Sequence, residues 1–202
     1  MPKIVDKEEK KRKIIFAAYS VVSEKGISGL RIEDVAVKAD IGKGTVYEYY
    51  RSKKDLLYNM CAFQLEETQK TIYEIFPENG DAQDFLNSIL DAIEIVYIDK
   101  YPELMVPFLD MISQVINDKK FLEFANNNYK TFYSLVSSLI EQGIEAGKYD
   151  VPNPQSTSIV LLAMVDCIVA HFVISKHFFD LKEILTYIKE AIIPRILGVK
   201  GA

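Results

Sequence analysis

The run Lys43-Gly44-Thr45-Val46-Tyr47-Glu48-Tyr49-Tyr50 holds the densest set of residues able to read a polyanion. At 100° per residue on a helix, Val46 and Tyr50 fall on one side and Gly44, Thr45 and Glu48 on the other, with Tyr49 at the edge. A glycine on the outward face permits close backbone approach. Thr45 can bond a base edge or touch a thymine methyl, and Glu48 can accept from a cytosine amino group. Lys43 and Tyr47 flank the face, within reach of phosphates. Lys53 sits at the start of the next helix, where unpaired backbone N–H groups also favour phosphate.

Catalytic chemistry finds little support. The two histidines, His171 and His177, are six apart and offer no i,i+4 metal pair. Gly26-Ile27-Ser28-Gly29 lacks the spacing of a nucleophile turn. In Gly42-Lys43-Gly44-Thr45 the threonine does not follow the lysine directly and no strand precedes it, so it is not a phosphate loop. Cys61 and Cys167 are far apart with no CxxC, which points away from a metal or disulfide framework and toward a reducing cytoplasm. No metal, no cofactor and no enzymatic activity are expected.

The elements that must position the reading face are helical. Apolar residues recur at helical spacing through all 202 residues, with seven prolines and nine glycines mostly between the periodic segments. A first helix is expected over about 7–25, with Ile14, Ala18, Val21 and Val22 inward and Gly26 as its stop. Short helices follow over about 32–39 and 43–50, around an Asp40-Ile41-Gly42 turn. Such a pair is a helix-turn-helix, whose second helix enters a major groove about 12 Å wide. Ser52 and Asp55 form a capping-box pattern opening a helix to about Phe76. Five more helices are expected: 82–100, a shorter one to about Asn117, 119–147, one opened by Asn153-Pro154 and running to about Phe178, and a last one capped by Asp180 and Glu183. The expected fold is all-α, with about nine helices. A helix-turn-helix domain over 1–58 precedes a ligand-binding and dimerisation domain over 59–202.

Charge divides at the same place. Residues 1–58 carry 13 Lys/Arg against 9 Asp/Glu, whereas the remainder carries 11 against 20. A basic front on an acidic body suits an anionic partner for the front. Ile159–Ile174 is apolar except for Asp166 and His171. It falls short of the roughly 20 residues that span a bilayer, so a helix buried on most sides is expected and no membrane partner.

Residues 9–58 resemble the tetracycline-repressor (TetR) family of bacterial transcription regulators. The resemblance rests on Ile14-Ile15-Phe16-Ala17-Ala18, Glu24-Lys25-Gly26, Val35-Ala36, Ala39, Lys43 through Tyr50, and Lys53-Lys54-Asp55-Leu56-Leu57. It implies a homodimer in the bacterial or archaeal cytoplasm that represses genes from a near-palindromic double-stranded DNA site. A small effector would release it. It also implies that Gly44, Thr45, Tyr47, Glu48 and Tyr49 line the recognition helix and that Lys53 touches phosphate. The chain departs from the family pattern in four places. Arg31 replaces a capping Ser or Thr but can reach a phosphate, Asp40 stands where Gly is usual, Gly42 where Ser is common, and Val22 where Phe is usual.

In the body, small residues Ala163, Cys167 and Ala170 recur at three-to-four spacing, which permits close helix contact. The last helix has Leu185, Ile188 and Ile192 on one broad face. The resemblance implies that these two helices pair with their copies; intrachain core for one of the two is the other reading. Tyr97, Met105, Phe108, Met111, Phe124, Tyr129, Tyr133, Met164 and His171 are candidates to line a pocket for an apolar or aromatic effector, or simply to fill the core. A purely structural helical adaptor is the other reading open to the body. It leaves the Lys43–Leu57 pattern unexplained.

Overall fold

The computed structural model describes residues 7–102, 105, 117–175 and 178–199. These residues are helical with no strands. The helices are α1 (Lys7–Lys25), α2 (Ile32–Lys38), α3 (Lys43–Tyr49), α4 (Lys53–Ile75), α5 (Ala82–Ile93, wound on as a π-helical segment Glu94–Lys100), α6 (Lys119–Glu145), α7 (Pro154–Ile174) and α8. The last runs Leu181–Tyr187, loosens to π-helical over Ile188–Ile192, and closes with Ile193–Ile196. Pro194 accounts for that loosening, since it lacks an N–H and its ring crowds the preceding turn. Eight helices are thus described, not nine. The short helix expected before Asn117 lies outside the described residues.

The helix ends follow local chemistry. Gly26 stops α1 at φ 69°, a left-handed conformation that costs glycine nothing. The Ser52 hydroxyl accepts from Asp55 N at 3.1 Å, while the Asp55 carboxylate reaches back to Arg51 N at 2.8 Å. Asn153 accepts from Ser156 N at 2.8 Å with Pro154 just inside α7. Asp180 accepts from Lys182 N and Glu183 N at the start of α8. Asp81 forms a full capping box with Asp84 at the start of α5, a signal the sequence reading passed over.

The chain divides into two compact units, Met1–Glu66 with Tyr101–Phe121, and Glu67–Lys100 with Leu122–Ala202. The boundary expected after residue 58 falls inside α4, which continues unbroken to Ile75. In the first unit, α1 packs on α2 and α2 on α3 around Ile14, Ala18, Tyr19, Val35, Val46, Leu56 and Met60, all buried. The Tyr19 hydroxyl donates to the Met60 carbonyl at 2.8 Å, so its polar end is satisfied at the centre of this core. Tyr101 joins the same unit: its ring lies 5.0 Å from that of Phe16, and its hydroxyl accepts from Arg12 at 3.1 Å.

The second unit buries Phe85, Leu86, Leu90, Ile140, Leu161, Leu185 and Ile193. Phe85 meets Phe76 edge-on at 5.1 Å. Here α7 departs from expectation. By length and composition it could cross a membrane, yet only 28% of that apolar window is buried. Ser158, Leu161, Leu162 and Val165 face the core. Ile159, Val160, Ala163, Cys167 and Ile174 are exposed on the opposite side. The helix is therefore half-open in a single chain rather than buried on most sides.

Candidate nucleic-acid interface

The turn between α2 and α3 is built by backbone hydrogen bonds and one left-handed residue. Ala39 N donates to Val35 O at 2.8 Å and Ile41 N to Ala36 O at 3.0 Å. Asp40 has φ 52°, a conformation that Asp tolerates better than most residues. It does what the usual glycine would do. Neither Arg31, the N-cap of α2, nor Gly42, the N-cap of α3, offers a side-chain cap. Their neighbours supply the restraint: Val35 and Val46 are fully buried and pin the two helices together.

That pinning sets the outward face of α3. Val46 and Tyr50 are buried, whereas Lys43, Gly44, Tyr47 and Glu48 are exposed and Thr45 and Tyr49 half-buried. Tyr50 turns its hydroxyl inward to donate to the Lys11 carbonyl at 3.3 Å, and burial pushes the phenol well above its ordinary range. A side chain at Gly44 would meet nothing within 4 Å in this chain. Packing within the chain therefore does not require glycine there.

The cations around the face are held. The Lys43 ammonium pairs with Glu33 at 2.5 Å and lies 5.8 Å from the centre of the Tyr47 ring. The hydrogen bond to Glu33, followed by its charge, raises the Lys43 ammonium, and the reciprocal bond lowers the Glu33 carboxyl. Lys53 does not extend freely: its ammonium donates to the Ile27 carbonyl at 2.8 Å. Lys54 pairs with Asp118 at 2.8 Å. Arg31 is exposed. Neither Glu33 nor Asp118 is marked as a partner by helical spacing, because each meets its lysine from a separate element.

The expected body residues are scattered. Tyr97 is buried with its hydroxyl 3.1 Å from that of Thr68, Met105 is buried, and Phe124 and Met164 are half-buried. Phe108 and Met111 lie outside the described residues. Tyr129 and Tyr133 stack on the surface of α6, and His171 is exposed on α7. Of the nine, only Tyr133 lines either of two open clefts. Of the expected interface residues, Ala163 and Cys167 are exposed and Ala170 and Ile192 half-buried. Leu185 and Ile188 are buried in the chain's own core, because α8 turns that side inward.

Comparison with known proteins bears on this geometry. Residues 14–60, which hold α2, the turn, α3 and the first turns of α4, match the family model described as bacterial regulatory proteins, tetR family. The HTH-type transcriptional regulator YhgD of Bacillus subtilis is 23% identical over 156 residues, covering 77% of this chain and 80% of that protein. A TetR transcription regulator from Haloarcula marismortui superposes with TM-score 0.76 at 24% identity, over 94% of this chain and 97% of that one. The transcriptional regulator FadR from Bacillus subtilis, in complex with stearoyl-CoA, superposes with TM-score 0.71 at 18% identity, over 95% of this chain and 98% of that one. At these identities the structural matches establish a shared fold.

Proposed function

The chain belongs to the bacterial regulatory proteins of the tetR family, a family of transcription regulators, and from that premise we propose that it is a ligand-responsive repressor working as a homodimer on a near-palindromic operator. One observation carries the reading. The face of α3 opposite buried Val46 presents small and polar groups, and its Gly44 is not required by packing. Thr45 and Glu48 contact base edges, Gly44 lets the backbone approach, and Tyr47, Tyr49, Lys43, Arg31 and Lys53 hold the phosphates. Residues 1–58 read DNA, and 59–202 dimerise and sense the effector.

The ion pairs shape the energetics. Lys43 and Lys53 exchange intrachain partners for phosphate, so each contact yields less than a free cation would. The salt dependence still grows with every phosphate neutralised. Two recognition helices must meet successive major grooves about 34–36 Å apart. An effector that prefers a body state with another spacing releases the DNA by population shift. The open apolar side of α7, with Ala163, Cys167 and Ala170, supplies the dimer contact. A fold relative solved with stearoyl-CoA supports an effector with a long apolar part.

The test is selection of random duplex DNA by the purified protein at moderate salt, followed by sequencing. An enriched inverted repeat is expected. On that site, Glu48→Ala should change base preference by about 1–3 kcal/mol at one position, while Lys53→Ala should weaken all sequences alike and reduce the salt slope by about one. No enrichment and no salt-dependent binding would return the chain to the adaptor reading.

A further inference from the structure

The outer groove between α6 and α7 carries chemistry that reading DNA does not use. Tyr129, Tyr133, Ser137 and Glu141 recur at four-residue spacing along α6, a stripe about 18 Å long at the rise of a helix. The rings of Tyr129 and Tyr133 stack with centroids 5.8 Å apart and planes 17° off parallel. At one end the Asp166 carboxyl of α7 lies close enough to the Tyr129 hydroxyl to act on it electrostatically. Toward the other end, Tyr133, Ser137 and Glu141 line an open cleft of about 340 Å³, with Gln155 and Ile159 on its α7 side.

Two features of the groove ask for an outside partner. Ser137 is only 7% exposed, and its hydroxyl oxygen has no hydrogen-bond partner among the described residues. A buried orphan hydroxyl of this kind is uncommon in a folded protein. The groove also has a carboxyl near each end and no cation between them. Glu141 accepts from Gln155 at 2.8 Å, but among the described residues no Lys or Arg pairs with Glu141 or Asp166. Asp166 is exposed at the rim of the groove, and the apolar neighbours that part-cover its carboxyl raise it, opposed by the nearby Tyr129 hydroxyl.

We propose that this groove binds a linear alkylpolyammonium ion, with its cationic ends at Asp166 and Glu141, its chain over the stacked tyrosines and one N–H donated to the Ser137 hydroxyl. Each part of such a ligand answers a feature of the groove. Ammonium groups are attracted both to carboxylates and to the faces of aromatic rings. Methylene segments suit Ile159 and the tyrosine rings. An ammonium is a donor only, which matches an orphan oxygen able to accept. An anionic ligand would be repelled by both carboxylates, and a neutral apolar one would gain nothing from them.

Calorimetric titration of the full chain with spermidine, without DNA, tests the inference independently of the operator reading. Binding is expected, weakened about tenfold by Asp166→Asn or Glu141→Gln and about threefold by Ser137→Ala, each loss on the scale of one charge-assisted or neutral hydrogen bond. Glu78→Gln, on an exposed turn away from the groove, should change nothing. Three results would overturn the proposal: no binding of spermidine, an equal loss in Glu78→Gln, or 1,8-octanediol binding as tightly as spermidine. The first removes the site, the second reduces it to the general negative charge of the body, and the third makes it an apolar groove.

Discussion

The reading head and α7 of the body use their apolar residues in opposite ways. In the head, Val46 of α3 is fully buried, and the outward side presents Lys43, Gly44, Tyr47 and Glu48. In α7, the open side is largely apolar as well as the core side: Val160, Ala163, Cys167 and Ile174 stand exposed beside Asp166 and His171. The head is complete as a single chain, and what it offers outward is hydrogen-bonding chemistry. The body leaves one side of α7 uncovered in a single chain, and what it offers outward is apolar area worth about 25 cal/mol per Å² once covered. Under the proposed function, a surface for DNA and one for a second copy therefore differ in which side of a helix is left unsatisfied.

The sharpest way to break this comparison is Ala163→Arg. If a second copy covers the open side of α7, a buried unpaired charge should weaken dimerisation about a hundredfold or more. An unchanged mass in sedimentation equilibrium would mean that α7 is simply a tolerated apolar surface. Next in size, Leu56→Ala opens a cavity in the head core and should cost about 2–5 kcal/mol in denaturant unfolding. A loss below about 1 kcal/mol would show that the head is less tightly packed than its burial suggests.

Gly44→Ala separates packing from recognition. With open space around Gly44, alanine should leave stability equal or raise it by up to about 1 kcal/mol through helix propensity, while DNA affinity falls. Unchanged DNA affinity would turn the proposed face away from the groove. The smallest effect concerns a cap in the body. Asp81 caps α5; burial raises its carboxyl, but hydrogen bonds from Lys148 and Tyr149 outweigh this and hold it below its ordinary value. Its stabilisation is present above the ordinary carboxylate pKa and is lost as pH falls through the lowered native one. Asp81→Ala should therefore cost about 1 kcal/mol at neutral pH, with thermal unfolding showing the gap to wild type shrinking at strongly acidic pH.

How far each part was legible follows from how local its causes are. The α2–turn–α3 unit could be read residue by residue, because helical spacing puts Val46 and Tyr50 on one side and the resemblance places Asp40 where a left-handed Gly is usual. Caps at Ser52, Asn153 and Asp180 were equally local. The side of α8 that faces inward was not legible. Leu185 and Ile188 lie on one apolar face, and periodicity marks such a face without saying whether its own core or another chain covers it. The partners of Lys43, Lys53 and Lys54 were likewise hidden, because Glu33, the Ile27 carbonyl and Asp118 come near only when separate helices pack.

By itself the sequence determined the helices, their ends, the turn and the outward chemistry of α3, because each depends on residues within a few positions of one another. Only the tertiary structure decided that α7 keeps an apolar side open, that Lys43, Lys53 and Lys54 are already engaged, and that Tyr133, Ser137 and Glu141 face Gln155 and Ile159 across one cleft. Those outcomes depend on which helix faces which, and that is settled by the summed packing of residues far apart in the chain.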